Sequence, residues 1–380
     1  MSHQYYPVVL QLGARTIHAG FAGDAVPTIR SVTNAYDLKD AQVDQNDGLN
    51  HASDQRLEVE VNDIDFRGNV LWDNDLVGYD FPQLERLLER IIYDIYQNNL
   101  LVDAKKCKVL ILEPPFFPIP LKKMLTKVLL FHIHAQSVRF FPEPVLSSIS
   151  SGSNNALVID MGWCQSTITA VFDLRILYKE SRVTNRAGKN FHAFVRTNLK
   201  ENGIDSLSFD FVEDLICDTF YCNPHTILEE EEKYSTFTYN GISIPNKLRY
   251  NLIDQFFFEN GLKPNVDDEN NFLVPLIKGL KKQLPIDLRS TLFTNIIFTG
   301  GLTKIPGMKT RILNELQIES ESKIEALEAL GPWAGASLYC STSLMSPSTT
   351  AGSKKSDELL RDRYLNGESI LQDWTDQLYN

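Results

Sequence analysis

Basic residues are in the minority, with 37 Lys and Arg against 49 Asp and Glu and a net charge of −12. Neutralising phosphates takes a clustered basic surface, so this balance speaks against nucleic acid or an anionic membrane as a partner and leaves protein as the expected one. Cysteine is scarce too. Cys107, Cys164, Cys217, Cys222 and Cys340 form no Cys-x-x-Cys pair and no His grouping at zinc spacing, and they read as free thiols in a reducing compartment. No apolar run approaches the roughly 18 residues that span a bilayer. The opening Met1-Ser2-His3-Gln4-Tyr5-Tyr6 lacks the basic-then-apolar pattern of a secretory leader. A cytosolic or nuclear protein is expected. With 43% hydrophobic and 23% charged residues over 380 positions, the chain can bury two separate cores.

What is present is organised around Ala156–Phe172, where an apolar run reaches Asp160 and Gly162 and a second β-rich run turns back. That pattern predicts strand, tight turn, strand. Two stretches match it: Val8–Gly13 continuing to Ala19–Asp24, and Ile296–Gly301. Glycine directly after a buried strand lets the backbone bend sharply and bring bare N–H groups near a ligand, as phosphate loops do. Each turn alone is also compatible with a plain β-turn. Two such hairpins a domain length apart, with the third strand, suggest a duplicated fold closing on a nucleotide-sized cleft.

Along the chain, Ser31–Asn69 is polar and acidic and reads as a mobile insertion. Asp80-Phe81-Pro82 opens a helix with apolar residues from Leu84 to Ile95 on one face. Strands are expected at Lys108–Leu112 and Val138–Phe141, with helices at Leu121–Phe131 and Val145–Ser151. Strands alternating with helices imply an α/β sheet covered on both faces. The second half repeats the plan, with helices near Lys189–Lys200, Phe211–Tyr221, Leu273–Leu284 and Met308–Leu316 and a strand at Asn295–Thr299. Asn240-Gly241 between alternating runs signals a hairpin. The acidic run Glu229–Glu232 reads as a solvated face, Phe256–Phe258 as a core anchor, and His132, His134 and His192 as surface or core histidines. Ser341–Ser353 reads as a linker, Lys354–Tyr364 as a surface helix, and the end as an acidic, aromatic tail with Trp374 and Tyr379.

Pro285-Ile286-Asp287-Leu288-Arg289, Asn295, Gly300-Gly301 and Pro306-Gly307 together resemble the signature of the actin family. Ala19–Asp24, Asn240–Asn246 and Trp333-Ala334-Gly335 are similar to further family segments, and the likeness covers nearly the whole chain. It implies the two-lobed actin/Hsp70-type ATPase fold, an α/β architecture of duplicated hairpin-led domains, each with an inserted subdomain. The corresponding division is an outer lobe core of 1–32, 70–150 and 336–380 with a small divergent insertion at 33–69, and an inner lobe core of 151–186 and 272–335 with an insertion at 187–271. Leu100-Leu101-Val102, Val109–Glu113, Leu125–Leu129 and Asn155–Asp160 are most similar to the actin-related subunit at the pointed end of dynactin. Nuclear actin-related subunits of chromatin remodellers are the nearest competitors.

The departures bear most on function. Where the family's first phosphate loop has Asp, Ser, Gly and Lys, this chain has Gln11, Ala14, Arg15 and His18, and the family's water-orienting Gln is Glu143. In the second loop Trp163 and Cys164 replace Asp and Gly, and Ile216 and Cys217 stand where a Lys and a Glu meet the adenosine. The resemblance leaves Gly13, Arg15, Asp160, Gly162, Gly188, Gly300 and Gly301 to hold ATP or ADP in a degenerate site, with no catalytic residue and no metal ligand. Phosphoryl transfer depends on positioned charge and a metal clamp, so a non-enzyme is expected. The expected role is a cytoplasmic, cytoskeletal cap on the pointed end of the actin-related filament, in a hetero-oligomeric complex whose partners are filament subunits and pointed-end subunits of dynactin. The alternatives are a nuclear remodeller subunit and an ATP-hydrolysing switch of the same fold.

Overall fold

The computed structural model describes residues 5–33, 70–74, 76, 80–205, 207–223, 235–258, 270–318, 320, 323–343 and 358–369. The backbone divides into two units, Met1–Gly152 with Leu330–Asn380, and Ser153–Ala329.

In the first unit Val8, Val9, Leu10 and Leu12 are all buried, as expected of a strand covered on both faces. This strand, β1 (Tyr6–Leu12), pairs antiparallel with β2 (Thr16–Phe21) and parallel with β4 (Cys107–Glu113). The sheet runs β13 (Leu359–Leu360), β5 (Ser137–Pro142), β4, β1, β2, β3 (Ile29–Val32). Helix α1 (Phe81–Asp94) starts where the sequence places it: the Asp80 carboxylate accepts from the Gln83 N–H at 3.3 Å, Pro82 sits in the first turn, and Leu84, Leu87, Leu88, Ile91 and Ile92 face the core. Helices α2 (Ile119–Lys127), α3 (Glu143–Ser151) and α10 (Pro332–Ser343) complete the layers. α10 packs on α3 so closely that a β-carbon on Gly335 would lie 1.9 Å from the Leu146 carbonyl oxygen. Trp333 Nε1 donates to the Val9 carbonyl at 3.2 Å, and Ser337 Oγ donates to the Asp24 carbonyl at 2.7 Å, tying α10 to the first hairpin.

The second unit repeats the plan. β6 (Ala156–Met161) and β7 (Ser166–Phe172) form the antiparallel hairpin, and β12 (Ile296–Thr299) lies parallel to β6 as β4 does to β1. β8 (Arg175–Ile176) and β9 (Arg182–Thr184) pair with β7. Helices α4 (Gly188–Glu201), α5 (Phe209–Thr219), α6 (Leu248–Ile253), α7 (Leu273–Gln283), α8 (Ile286–Phe293) and α9 (Met308–Gln317) follow in chain order. Phe191 is the hub of an aromatic core, 5.1 Å from Phe257 and 6.1 Å from Phe220 by ring centroids. The hairpin β10 (Thr236–Tyr239) and β11 (Ile242–Pro245) turns on Asn240 and Gly241, at φ 46° and 83°. Both values are positive, which is the conformation that gives Asn-Gly its preference for two-residue hairpin turns.

Two stretches depart from expectation or exceed it. Leu359 and Leu360 are not part of a surface helix; they pair antiparallel with β5, with Leu359 buried, and only α11 (Arg361–Leu365) is helical. The pairing with Val138 and Ser137 wins because it buries Leu359 and completes a sheet edge. The Asp-x-Arg segment forms α8, which its weak periodicity did not reveal. Residues 34–69, Glu229–Glu232, and the tail with Trp374 and Tyr379 lie outside the described residues.

Gly335→Ala is expected to lower the stability of the folded chain by about 2–3 kcal/mol, since backbone cannot yield as a flexible side chain can. Gly279→Ala, in α7 with nothing near the added carbon, should raise it by about 0.5–1 kcal/mol. Denaturant titration of the two variants beside the parent checks both signs.

Candidate functional site

In the first unit the candidate residues lie on the β1–β2 hairpin. Gly13 closes the turn by donating its N–H to the Thr16 carbonyl at 2.9 Å. Arg15, expected to meet a phosphate, is buried, and its Nη1 donates to Thr33 Oγ1 at 2.8 Å while the Thr33 N–H donates to the Arg15 carbonyl at 3.0 Å. The guanidinium is thereby fastened to the end of β3. One step along the ladder, Gln11 and His18 face each other across β1 and β2. Gln11 Nε2 donates to Glu143 Oε1 at 2.9 Å, and Gln11 Oε1 lies 3.0 Å from His18 Nδ1. An amide oxygen can only accept, so His18 carries its proton on Nδ1. Glu143 is the first residue of α3, where the helix dipole favours a carboxylate.

The second unit, taken by itself, gathers Asp160, Gly162, Gly188, Gly300 and Gly301 around the β6–β7 turn. Thr299, the last residue of β12, is the partner of Asp160 in β6, which brings Gly300 beside that carboxyl. Gly300 has φ +90°, and a β-carbon there would lie 2.4 Å from the Met161 carbonyl oxygen and 2.6 Å from Asp160 Oδ1. Only glycine fits. Gly162 lies on the other side, where a β-carbon would be 3.6 Å from Asp160 Oδ2, whereas Gly301 has open space around it. Desolvation pushes the Asp160 carboxyl up to about 6.

Trp163 shapes what remains. Its ring and backbone cover Gly188, where a β-carbon would lie 2.9 Å from Trp163 Cε3. The N–H of Gly188 donates to the Gly162 carbonyl at 3.0 Å and that of Lys189 to the Trp163 carbonyl at 2.9 Å. Two of the N–H groups that a helix start offers to an anion are thus taken by the turn itself. Trp163 lies 5.6 Å from Phe209 and 5.9 Å from His192, and His192 stacks on Phe209 at 4.4 Å between centroids. His192 is a core histidine, donating from Nε2 to the Phe209 carbonyl at 3.0 Å. This stack was missed in the sequence, though Gly188 and His192 stand four apart on α4 and so share a face. On α5 Ile216 is buried and Cys217 exposed, its thiol pushed up by desolvation and then by Glu213, Asp214 and Asp218. Among the described residues no group of three His, Cys, Asp or Glu side chains could hold a metal ion.

The profile described as Actin matches residues 2–238 and 249–353. The chain belongs to the actin family. Among curated proteins it is similar to centractin of Schizosaccharomyces pombe, 21% identical over 362 residues that cover 89% of this chain and 91% of that protein. An actin-like protein of Neurospora crassa is 24% identical over 338 residues, covering 82% and 83%. The two-unit α/β architecture is the actin fold, which in this family generally binds nucleotide.

The Asp160 carboxyl gives a test with a defined sign. Its raised value means that the folded chain holds this proton more tightly than the unfolded chain, whose Asp titrates near 3.9. Its contribution to stability is therefore lost as pH rises from about 4 to 6. Asp160→Asn should match the parent at pH 4 and exceed it at pH 7 by on the order of 1–3 kcal/mol, read from denaturation curves at the two pH values.

Proposed function

We propose that this chain is a non-catalytic structural subunit of the actin-related type, which caps the pointed end of the actin-related filament of dynactin in the cytoplasmic cytoskeleton. There it recruits end-binding partners for dynein-driven transport along microtubules. The observation that carries the loss of catalysis is the 2.9 Å hydrogen bond between Gln11 and Glu143. In the family pattern a carboxylate at the first position stands beside the cation and an amide at the second aims the attacking water. Here acid and amide have traded places and satisfy each other, and His18, in place of a lysine, bonds to the same amide.

The remaining residues do not fit a metal-clamped triphosphate. A carboxylate at Glu143 repels a γ-phosphate, Arg15 is fastened to Thr33, and Trp163 stands where a second acidic group would be. Phosphoryl transfer is almost entirely positioning and electrostatic stabilisation, so these changes act on the same step. Any ATP or ADP taken up would serve as a structural ligand.

The place at the pointed end rests on the likeness of residues 100–102, 109–113, 125–129 and 155–160 to that dynactin subunit, and on the similarity to centractin over most of the chain. A head-to-tail array stops growing at a subunit that keeps one docking face and has lost the other. In the resemblance, Ser31–Asn69 reads as the poorly matched part, whereas the residues 285–307 signature is retained.

The test replaces residues 34–69 by a short Gly/Ser linker. β3 and Thr33 are spared, because Thr33 holds Arg15. The variant is expected to co-purify with the actin-related filament while losing the end-associated subunits. Loss of the filament with partner binding preserved would contradict the reading and favour a nuclear remodelling complex.

A further inference from the structure

Lys105, His134, Gln136 and Arg361 line a cavity of about 350 Å³ in the first unit. Its walls come from distant parts of the chain. The Gln136 N–H donates to the Cys107 carbonyl at 2.9 Å, and the Gln136 carbonyl accepts from the Arg361 N–H at 2.9 Å. The β13–β5 pairing, Leu360 with Ser137, is what sets Arg361 beside Gln136. The guanidinium is then fixed on one side: Nε donates to the Leu130 carbonyl at 3.0 Å and Nη2 to His134 Nδ1 at 3.1 Å. His134 holds φ 63°, a left-handed conformation uncommon outside glycine and found most at functional or strained positions.

The charge balance of this cavity is unusual for so acidic a chain. Neither Lys105 nor Arg361 forms an ion pair with a carboxylate among the described residues. The nearby His132 does, with Glu85 at 2.8 Å and Glu89 at 3.4 Å, so among the described residues the carboxylates here engage the histidine outside the cavity and not the cations in it. Because Arg361 can only donate, His134 accepts at Nδ1 and is neutral, with its proton on Nε2. Desolvation, then Arg361, Lys105 and His132, lower its proton affinity, which keeps it so. The cavity therefore presents a guanidinium, an ammonium, an imidazole N–H and an amide, all able to donate.

We propose that this cavity is an oxyanion site that receives a phosphate or carboxylate group carried on a side chain of a partner protein. A preset guanidinium matches the two-oxygen geometry of either group, and an entering anion relieves the repulsion between Arg361 and Lys105. The cavity exceeds the needs of a bare ion and leaves room for the side chain that bears it. The proposal does not depend on the nucleotide site or on the complex to which the chain belongs.

The test follows the imidazole signal of His134 by NMR in the full chain, assigned by its disappearance in His134→Asn, a residue that tolerates the left-handed backbone. Phosphoserine, glutamate and inorganic phosphate are titrated separately, with serine as the neutral control. The expected result is a saturable shift with phosphoserine or glutamate and none with serine, the tighter of the two identifying phosphate or carboxylate as the preferred group. Lys105→Ala, whose ammonium makes no hydrogen bond or ion pair among the described residues, should weaken that binding about tenfold or more, as loss of a charged hydrogen bond does. No shift with any anion at millimolar concentration, a shift shared by serine, or a titration unchanged in Lys105→Ala would each overturn the site.

Discussion

The contact on which the second-unit site depends is Trp163 against Gly188. A strand–turn–strand ending beside a helix start normally leaves room for a ligand between turn and helix. Here the indole takes that room, and the carbonyls of Gly162 and Trp163 take the N–H groups of Gly188 and Lys189. His192 and Phe209 back the ring from α4 and α5, so a large side chain in a turn costs little because its apolar surface is shared with the core. The glycines that remain are then accounted for by backbone geometry. Gly300 must be glycine because β12 passes the Met161 carbonyl, whatever does or does not lie beyond it.

The first unit reaches a similar end by polar means. Gln11, His18 and Glu143 form a hydrogen-bonded row across β1, β2 and the start of α3, and Arg15 closes onto Thr33. Groups that would be available to a cation and phosphates in the family pattern are engaged with one another. A buried polar group is stable when its partners lie in the protein, and side chains engaged in this way are held rigidly. The two units share a plan inherited from duplication, and each has filled its own loop with local contacts.

Much of the fold was legible because its signals are local. Asp80 and Pro82 announce α1, Asn240-Gly241 announces a hairpin, and the apolar runs of β1, β4 and β6 announce buried strands. What escaped depends on distant pairings: Leu359–Leu360 looks helical until β5 offers an edge, and Arg361 lines a cavity with His134 only through that pairing. In the candidate site the residue types were readable but their engagements were not. Arg15 looked ready for a phosphate because nothing in the sequence tells that Thr33, eighteen residues on, takes its guanidinium. Trp163 read as a lost acid, and only the fold makes it a cover for Gly188.

The central claim is that an actin fold has been kept while its chemistry has been given up. Steady-state release of phosphate from ATP by the purified chain, with and without magnesium, tests it most directly. The account predicts a rate indistinguishable from the no-protein background under both conditions. A magnesium-dependent turnover comparable to that of conventional actin would contradict it.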